Sequence, residues 1–251
     1  AGRKAATPPP WQGPEVLRES GRTWEPVSST AAPFSSESLA PRALSTEDVR
    51  ELVDTFAAAA ARSLMAGFRV IEIHAAHGYL VHQFLSPLAN DRDDEYGGGF
   101  DGRTRFLREI VTAARATVGE EVPLFVRISA TDWREDGWGV QDSVRLAGEL
   151  RKLGVDLVDC SSGGIVPSVP IPVGTGFQTP LAAAVREQAG VATGAVGLIT
   201  AAQQADHIIR SGQADVVLLA RELLRDPYWP YRAARVLGHE IAAPPQYERA
   251  W

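Results

Sequence analysis

From residue 45 onward the chain alternates two hydrophobic patterns. Stretches with apolar residues every three or four positions are followed by short continuous apolar runs, and most joints carry glycine or a small polar residue. Ser45-Thr46-Glu47-Asp48 has the N-cap and early acids of a helix start, with Asp48 in the capping-box position where Glu is commoner. An alanine-rich run through Ala66 continues that helix, and Gly67 is placed to end it. Val70 to Ile73 then predicts a short buried strand. The unit repeats as a helix from Arg103 to Val118, with Phe106, Leu107, Ile110, Val111 and Ala114 on one face, and a strand from Pro123 to Ser129. Further repeats are a helix from Ser143 to Leu153 with a strand from Val155 to Cys160, and a helix from Thr179 to Gln188 with a small-residue strand from Ala192 to Val196. The last are a helix from Thr200 to Ser211, a strand from Asp215 to Ala220 and a closing helix from Arg225 to Leu237. Residues 1–44, rich in Pro, Ser, Gly and Thr, predict an irregular surface segment. With repeating units over 45–240 and a tail at 241–251, the whole of 1–251 is expected to form a single domain.

Strands that are continuous apolar runs, alternating with helices, predict an α/β fold with a parallel sheet covered on its outer face. Five strands fit either an open doubly wound sheet or part of a barrel. No strand is followed by G-x-G-x-x-G, so the dinucleotide-binding open sheet lacks its main signal. Polar residues gather instead just beyond several strand ends, at His74 and His77, Arg127 and Ser129, Ser161 and Ser162, Gly197 and Arg221. That distribution favours a TIM barrel, whose chemistry sits at the C-terminal ends of its strands.

Composition narrows the function. Hydrophobic residues at 45% and charged residues at 22% are ordinary for a globular domain, and a net charge of −6 argues against nucleic-acid or anionic-membrane partners. A single cysteine, Cys160, excludes internal disulfides and fits a reducing, cytoplasmic setting. No apolar run is long enough to cross a bilayer and no signal-peptide pattern opens the chain. The chain opens at Ala1 and its only methionine is Met65, which fits a trimmed or partial polypeptide.

The richest chemistry lies in Val70-Ile71-Glu72-Ile73-His74-Ala75-Ala76-His77-Gly78-Tyr79, where a β-branched run ends in two histidines and a tyrosine. Residues three apart on a strand face opposite ways, so His74 and His77 converge only if the chain curls, which Gly78 makes easy. Two imidazole donors on one carbonyl oxygen would stabilise charge there, with Tyr79 as a proton source. The pair could equally be core or surface histidines bonded to backbone, and a zinc site with His82 lacks a carboxylate or thiolate partner. Arg127 lies in an apolar strand, where a guanidinium needs an anion: a ligand's, or a nearby carboxylate such as Asp132. Gly197 and Arg221 follow the last two strands, where barrels often hold phosphate, although Arg221 could pair with Glu222 or Asp226. Asp91-Arg92-Asp93-Asp94-Glu95 does not match a calcium loop and reads as a solvated turn, and Cys160 reads as a core residue.

These segments, in order, resemble the Old Yellow Enzyme family of FMN-dependent ene-reductases, closest to its bacterial NADPH dehydrogenase branch. Matching stretches are Ile71 to Pro87, Asp94 to Gly98, Pro123 to Ser129, Val155 to Gly163, Ala192 to Thr200 and Ala220 to Pro227, with Gln246 to Trp251 resembling the branch's C-terminal motif. The resemblance implies a (β/α)8 TIM barrel in which His74 and His77 bind the substrate carbonyl and Tyr79 lies beside it. It places Arg127 on the flavin ring, Ser161 and Gln178 in the cofactor or substrate pocket, and Ala220 and Arg221 at the FMN phosphate. The family commonly has glycine where Ala220 stands. Arg249 corresponds to an arginine that reaches a neighbouring subunit's site, which implies a homo-oligomer, dimer or tetramer. Ala1-Gly2-Arg3-Lys4 resembles the end of a segment on the third barrel strand. The expectation is therefore an incomplete barrel lacking the first two to three strands, which alone folds poorly and binds FMN weakly.

The function expected is FMN-dependent reduction of the C=C bond of an enone or enal by NADPH or NADH. A non-catalytic truncated remnant is the alternative. A metal-dependent TIM-barrel lyase or hydrolase using the three histidines is a further one.

Overall fold

Ser45 starts the first long helix as the sequence predicts. Its hydroxyl accepts from the Asp48 backbone N–H at 3.1 Å, and the Asp48 carboxylate accepts from the Ser45 N–H at 2.8 Å, closing a capping box over α1, Thr46–Met65. The computed structural model describes residues 1–5 and 24–250. Within the expected irregular segment, a 3-10 turn at Gly2–Lys4 precedes two short strands, β1 (Val27–Ser28) and β2 (Arg42–Ala43), paired in parallel. The stretch between residues 6 and 23 lies outside the described residues.

The remaining strands are β3 (Ile71–Ala75), β4 (Leu124–Ser129), β5 (Leu157–Ser161), β6 (Ala192–Val196) and β7 (Val216–Leu218), in one all-parallel sheet of order β3-β4-β5-β6-β7. Strands adjacent in sequence are adjacent in space, which is the winding of a barrel, and the sheet is a barrel arc with β3 and β7 at its two edges. Helices α2 (Leu80–Leu85), α3 (Phe100–Val118), α4 (Val140–Lys152), α5 (Thr179–Ala189), α6 (Ala202–Arg210), α7 (Arg221–Arg225) and α8 (Trp229–Val236) fill the connections. The five strands agree with the sequence reading to within a few residues. Two helices differ from it: α2 begins immediately after Tyr79, and the segment after β7 splits into α7 and α8 instead of one helix.

The register sorts the sheet's side chains onto two faces, because in-register residues of parallel strands point the same way. Ile71, Ile73, Leu124, Val126, Ile128, Val158, Cys160 and Ala195 share the outer face, where they are buried against Phe106, Ile110 and Val111 of α3, Leu146 and Leu150 of α4, and Leu181 and Val185 of α5. Cys160 belongs to this core, and burial pushes its thiol far up, so it is chemically quiet. The inner face carries Glu72, His74, Arg127, Asp159 and Ser161. A predicted apolar run thus hides a polar stripe on alternate positions.

The acidic turn is anchored by its arginine. Arg92 pairs with Asp94 and donates to Ser29 O at 2.8 Å and Leu44 O at 2.6 Å, tying the N-terminal segment onto the barrel wall.

Candidate active site

His74 is the last inward-facing residue of β3, and the chain curls as soon as the strand ends. His77 and Gly78 are both left-handed, with φ of 59° and 70°. The curl therefore begins one residue earlier than glycine alone would require. It works as the sequence predicts, bringing the His74 and His77 rings to 5.2 Å between centroids and His74 and Tyr79 to 5.5 Å. Tyr79 is 37% exposed, so its hydroxyl faces solvent or a ligand, not the core.

Both imidazoles are held neutral. Burial, with the Arg127 charge next in effect, depresses His77 to about 3, and the same two causes lower His74. Each neutral ring can donate one N–H and cannot serve as an acid. His77 Nε2 lies 2.7 Å from the Ser161 hydroxyl, and Gln178 Oε1 accepts from Ser162 at 2.6 Å. Gln178 also donates to Val196 O at 2.9 Å, so one side chain ties the end of β5 to the end of β6. A Cβ on Gly197 would approach Gln178 Nε2 to 2.7 Å, and its φ is +118°. Glycine there lets β6 end against Gln178.

The carboxylate beside Arg127 is Asp159, not Asp132. Arg127 Nε lies 3.2 Å from Asp159 Oδ2 on the inner face, whereas Asp132 is buried beside His82 at 3.1 Å. Burial pushes the Asp159 carboxyl up to about 7, with Arg127 opposing it. His82 also turns away from the other two histidines: its Nδ1 accepts from the Gly78 N–H at 2.9 Å. The three histidines do not converge, and no group of three His, Cys, Asp or Glu among the described residues is placed to hold a metal ion.

Residues 196–200 and 218–222, with Arg225, line a small hollow beyond β6 and β7. Within it Glu222 pairs with Arg225, and outside its lining Asp226 pairs with Arg232. Both carboxylates proposed as Arg221 partners are thus occupied by others. Ala220 has φ of −115°, outside the left-handed region that favours glycine. Arg249 lies in an exposed 3-10 stretch, Pro245–Ala250.

A family model described as the NADH:flavin oxidoreductase / NADH oxidase family matches residues 13–240. The NADPH dehydrogenase of Geobacillus sp. strain WCH70 is 50% identical over 234 residues, covering 93% of this chain and 68% of that protein. That of Bacillus subtilis strain 168 is 48% identical over 239 residues, 94% of this chain and 70% of its own. The chain belongs to the NADH:flavin oxidoreductase / NADH oxidase family. Among solved structures, a 2-naphthoyl-CoA reductase complex has a TM-score of 0.78 at 26% identity, covering 86% of this chain and 33% of that one. Morphinone reductase in complex with tetrahydroNAD has a TM-score of 0.68 at 26% identity, covering 89% of this chain and 62% of that one. The fold is that of the TIM-barrel oxidoreductases of the Old Yellow Enzyme kind, which use FMN with NAD(P)H, and this chain forms an arc of that barrel.

The chain's own groups fit FMN. Arg127 Nε is charge-paired with Asp159 but buried without a hydrogen-bond partner, so the guanidinium keeps an unspent donor on the inner face. Arg221 lines the hollow while its neighbouring carboxylates are engaged elsewhere, which suits a phosphate.

Of the residues that brace this site, Ser129 was among the strand-end polar positions, whereas Lys4 escaped the sequence reading. Lys4 Nζ donates to His77 O at 2.7 Å and to Gly164 O at 3.1 Å, and sits 5.0 Å from the Tyr79 ring centroid. Ser129 accepts from His77 N at 2.8 Å and donates to Gly163 O at 2.8 Å. The fit is close: a Cβ on Gly78 would fall 2.0 Å from Gly164 O. Gly78→Ala is therefore expected to cost at least about 2 kcal/mol, from the left-handed φ and the clash together. Urea denaturation measures this, and an unchanged midpoint would contradict the packing described.

Proposed function

We propose that the protein is an ene-reductase reducing the C=C bond of an α,β-unsaturated ketone or aldehyde at the expense of NADPH or NADH. The observation that carries the reading is the cluster of His74, His77 and Tyr79 on the inner rim, two neutral imidazoles and a phenol beside Arg127, in a chain of this family. FMN, once reduced, supplies the hydride that the β-carbon receives. His74 and His77 donate hydrogen bonds to the carbonyl oxygen, stabilising the negative charge that builds there as the β-carbon accepts hydride. Neutral rings suit this role, because they stay bonded to the oxygen without surrendering a proton. Tyr79, or a water beside it, protonates the α-carbon. Arg127 favours the anionic reduced flavin through its positive charge, Ser161 and Gln178 shape the pocket, and Gly197, Ala220 and Arg221 hold the phosphate. Arg249 is assigned to the site of a neighbouring subunit in a homo-oligomer. No helix among the described residues is long and apolar enough to cross a membrane, and the cytoplasm is the proposed location.

Anaerobic incubation with NADPH and 2-cyclohexenone tests this. Cyclohexanone is the expected product, and NADPH oxidation without it would count against the reading.

One observation favours a second reading, that of a non-catalytic polypeptide. Among the described residues, strands β3 and β7 have no outer neighbour in the sheet, and inner-face groups such as Glu72 and His74 are exposed. On that second reading the 251-residue polypeptide by itself holds FMN at well below one equivalent after gel filtration. Stoichiometric FMN on a stable monomer would remove the second reading.

A further inference from the structure

The His77–Gly78 turn is held in an unusual way. All four of its backbone polar groups are bound by side chains. His77 N–H donates to Ser129 Oγ at 2.8 Å, and His77 O accepts from Lys4 Nζ at 2.7 Å. Gly78 N–H donates to His82 Nδ1 at 2.9 Å, and Gly78 O accepts from Gln83 Nε2 at 2.6 Å. Two consecutive left-handed residues are costly unless their surroundings determine them, and here the determinants come from four separate side chains.

His82 is the most informative of the four. It is fully buried in α2, directly after the turn it holds. Because Nδ1 accepts from an amide N–H, it carries no proton, and the neutral ring must bear its hydrogen on Nε2. That nitrogen lies 3.1 Å from Asp132 Oδ1, and the carboxylate is fixed in turn by the Ser86 hydroxyl at 2.6 Å and the Trp138 N–H at 2.8 Å, both to Oδ2. The Gly78 N–H on Nδ1 sets this tautomer, and the Asp132 carboxylate beside Nε2, close but outside hydrogen-bond geometry, favours it electrostatically. None of His82, Asp132, Ser86 and Trp138 belongs to the candidate site, so any effect of this group on the reaction must pass through the turn.

We propose that His82, an Nε2–H tautomer beside the Asp132 carboxylate, is a positioning residue that fixes the Gly78 amide and so aims the His77 ring and the Tyr79 hydroxyl at the substrate. The catalytic consequence rests on the ene-reductase reading; the clamp itself does not. Two variants separate positioning from simple space-filling. His82→Asn places a carbonyl oxygen near the Nδ1 position and keeps an acceptor for Gly78. His82→Gln fills more of the ring's volume but carries its polar atoms out toward the Nε2 position, leaving the Gly78 N–H without a partner. Positioning predicts that Asn is the better replacement, whereas space-filling predicts Gln.

The test is carried out on the FMN-loaded protein. Imidazole 15N shifts of the neutral His82 ring should show Nδ1 unprotonated and Nε2 protonated. Hydrogen exchange of the Gly78 amide should stay slow in His82→Asn and quicken at least tenfold in His82→Gln. With 2-cyclohexenone, kcat/KM should fall no more than a fewfold in His82→Asn and about tenfold or more in His82→Gln, while FMN affinity stays level in both. A protonated Nδ1, equal exchange in the two variants, or better retention by Gln would overturn the proposal. The shift and exchange measurements need no substrate. If wild type fails to reduce the enone, the functional reading falls while they still decide the clamp.

Discussion

Replacing both His74 and His77 by alanine is expected to lower kcat/KM for 2-cyclohexenone by about a thousandfold while leaving NADPH-driven reduction of bound FMN close to wild type. Loss of one preorganised donor to a developing oxyanion costs about a hundredfold to a thousandfold, and two donors on one oxygen act as a unit, so their losses do not multiply. The pH dependence sharpens the expectation. His77 is held near 3 in the fold, so it should add no inflection near the ordinary imidazole value to binding or turnover. The same shift has a stability consequence. Its folded value lies below its unfolded one, so the unfolded chain takes up the proton first as pH falls. The stabilising contribution is complete above about 6.5 and is lost as pH falls toward about 3. Steady-state kinetics of the double variant from pH 6 to 9 checks the first part, and a bell centred near 6.5 in wild type would contradict neutral donors.

Asp159→Asn is expected to stabilise the protein at pH 8 and to leave it unchanged near pH 4. Burial raises the Asp159 carboxyl from 3.8 to about 7, so the folded chain holds a proton that the unfolded chain has released. The sign is the reverse of that for His77: stability declines as pH rises from about 4 to about 7, and above that the ionised, buried carboxylate costs up to about 4 kcal/mol. Asparagine removes that cost. It also leaves Arg127 without the carboxylate 3.2 Å away, so the guanidinium charge should act undiminished on a bound flavin and raise its reduction potential. Thermal denaturation at the two pH values checks the stability part. Equal midpoint differences at pH 4 and pH 8 would contradict the assignment of a high value to Asp159.

The contrast between Arg127 and His82 shows what was legible in the sequence. Local rules carried the capping box at Ser45, the five apolar strands and the curl near Gly78, because each depends on residues a few positions apart. The resemblance of ordered motifs carried the family. Partners set by register did not show. Arg127 meets Asp159 only because β4 and β5 align those two positions, and Asp132, nearer in sequence, is drawn into the core by His82. The run from Val155 to Cys160 reads as apolar although Asp159 lies within it, because a run does not reveal which face each residue takes. Helix α2 escaped because Leu80–Leu85 is too short for periodicity and its His82 and Gln83 are polar yet wholly buried. Lys4 lies 73 residues from the backbone oxygen it holds, a separation no local pattern spans.

The account stands most directly on a single-turnover experiment. The FMN-loaded protein is reduced with one equivalent of NADPH, freed of excess nucleotide and mixed anaerobically with 2-cyclohexenone, and flavin reoxidation and cyclohexanone are followed together. The account predicts one cyclohexanone per flavin, formed in step with reoxidation, and reoxidation about a thousandfold slower in the His74→Ala/His77→Ala variant. Reoxidation by the enone at the same rate in both proteins, or none in wild type, would contradict it.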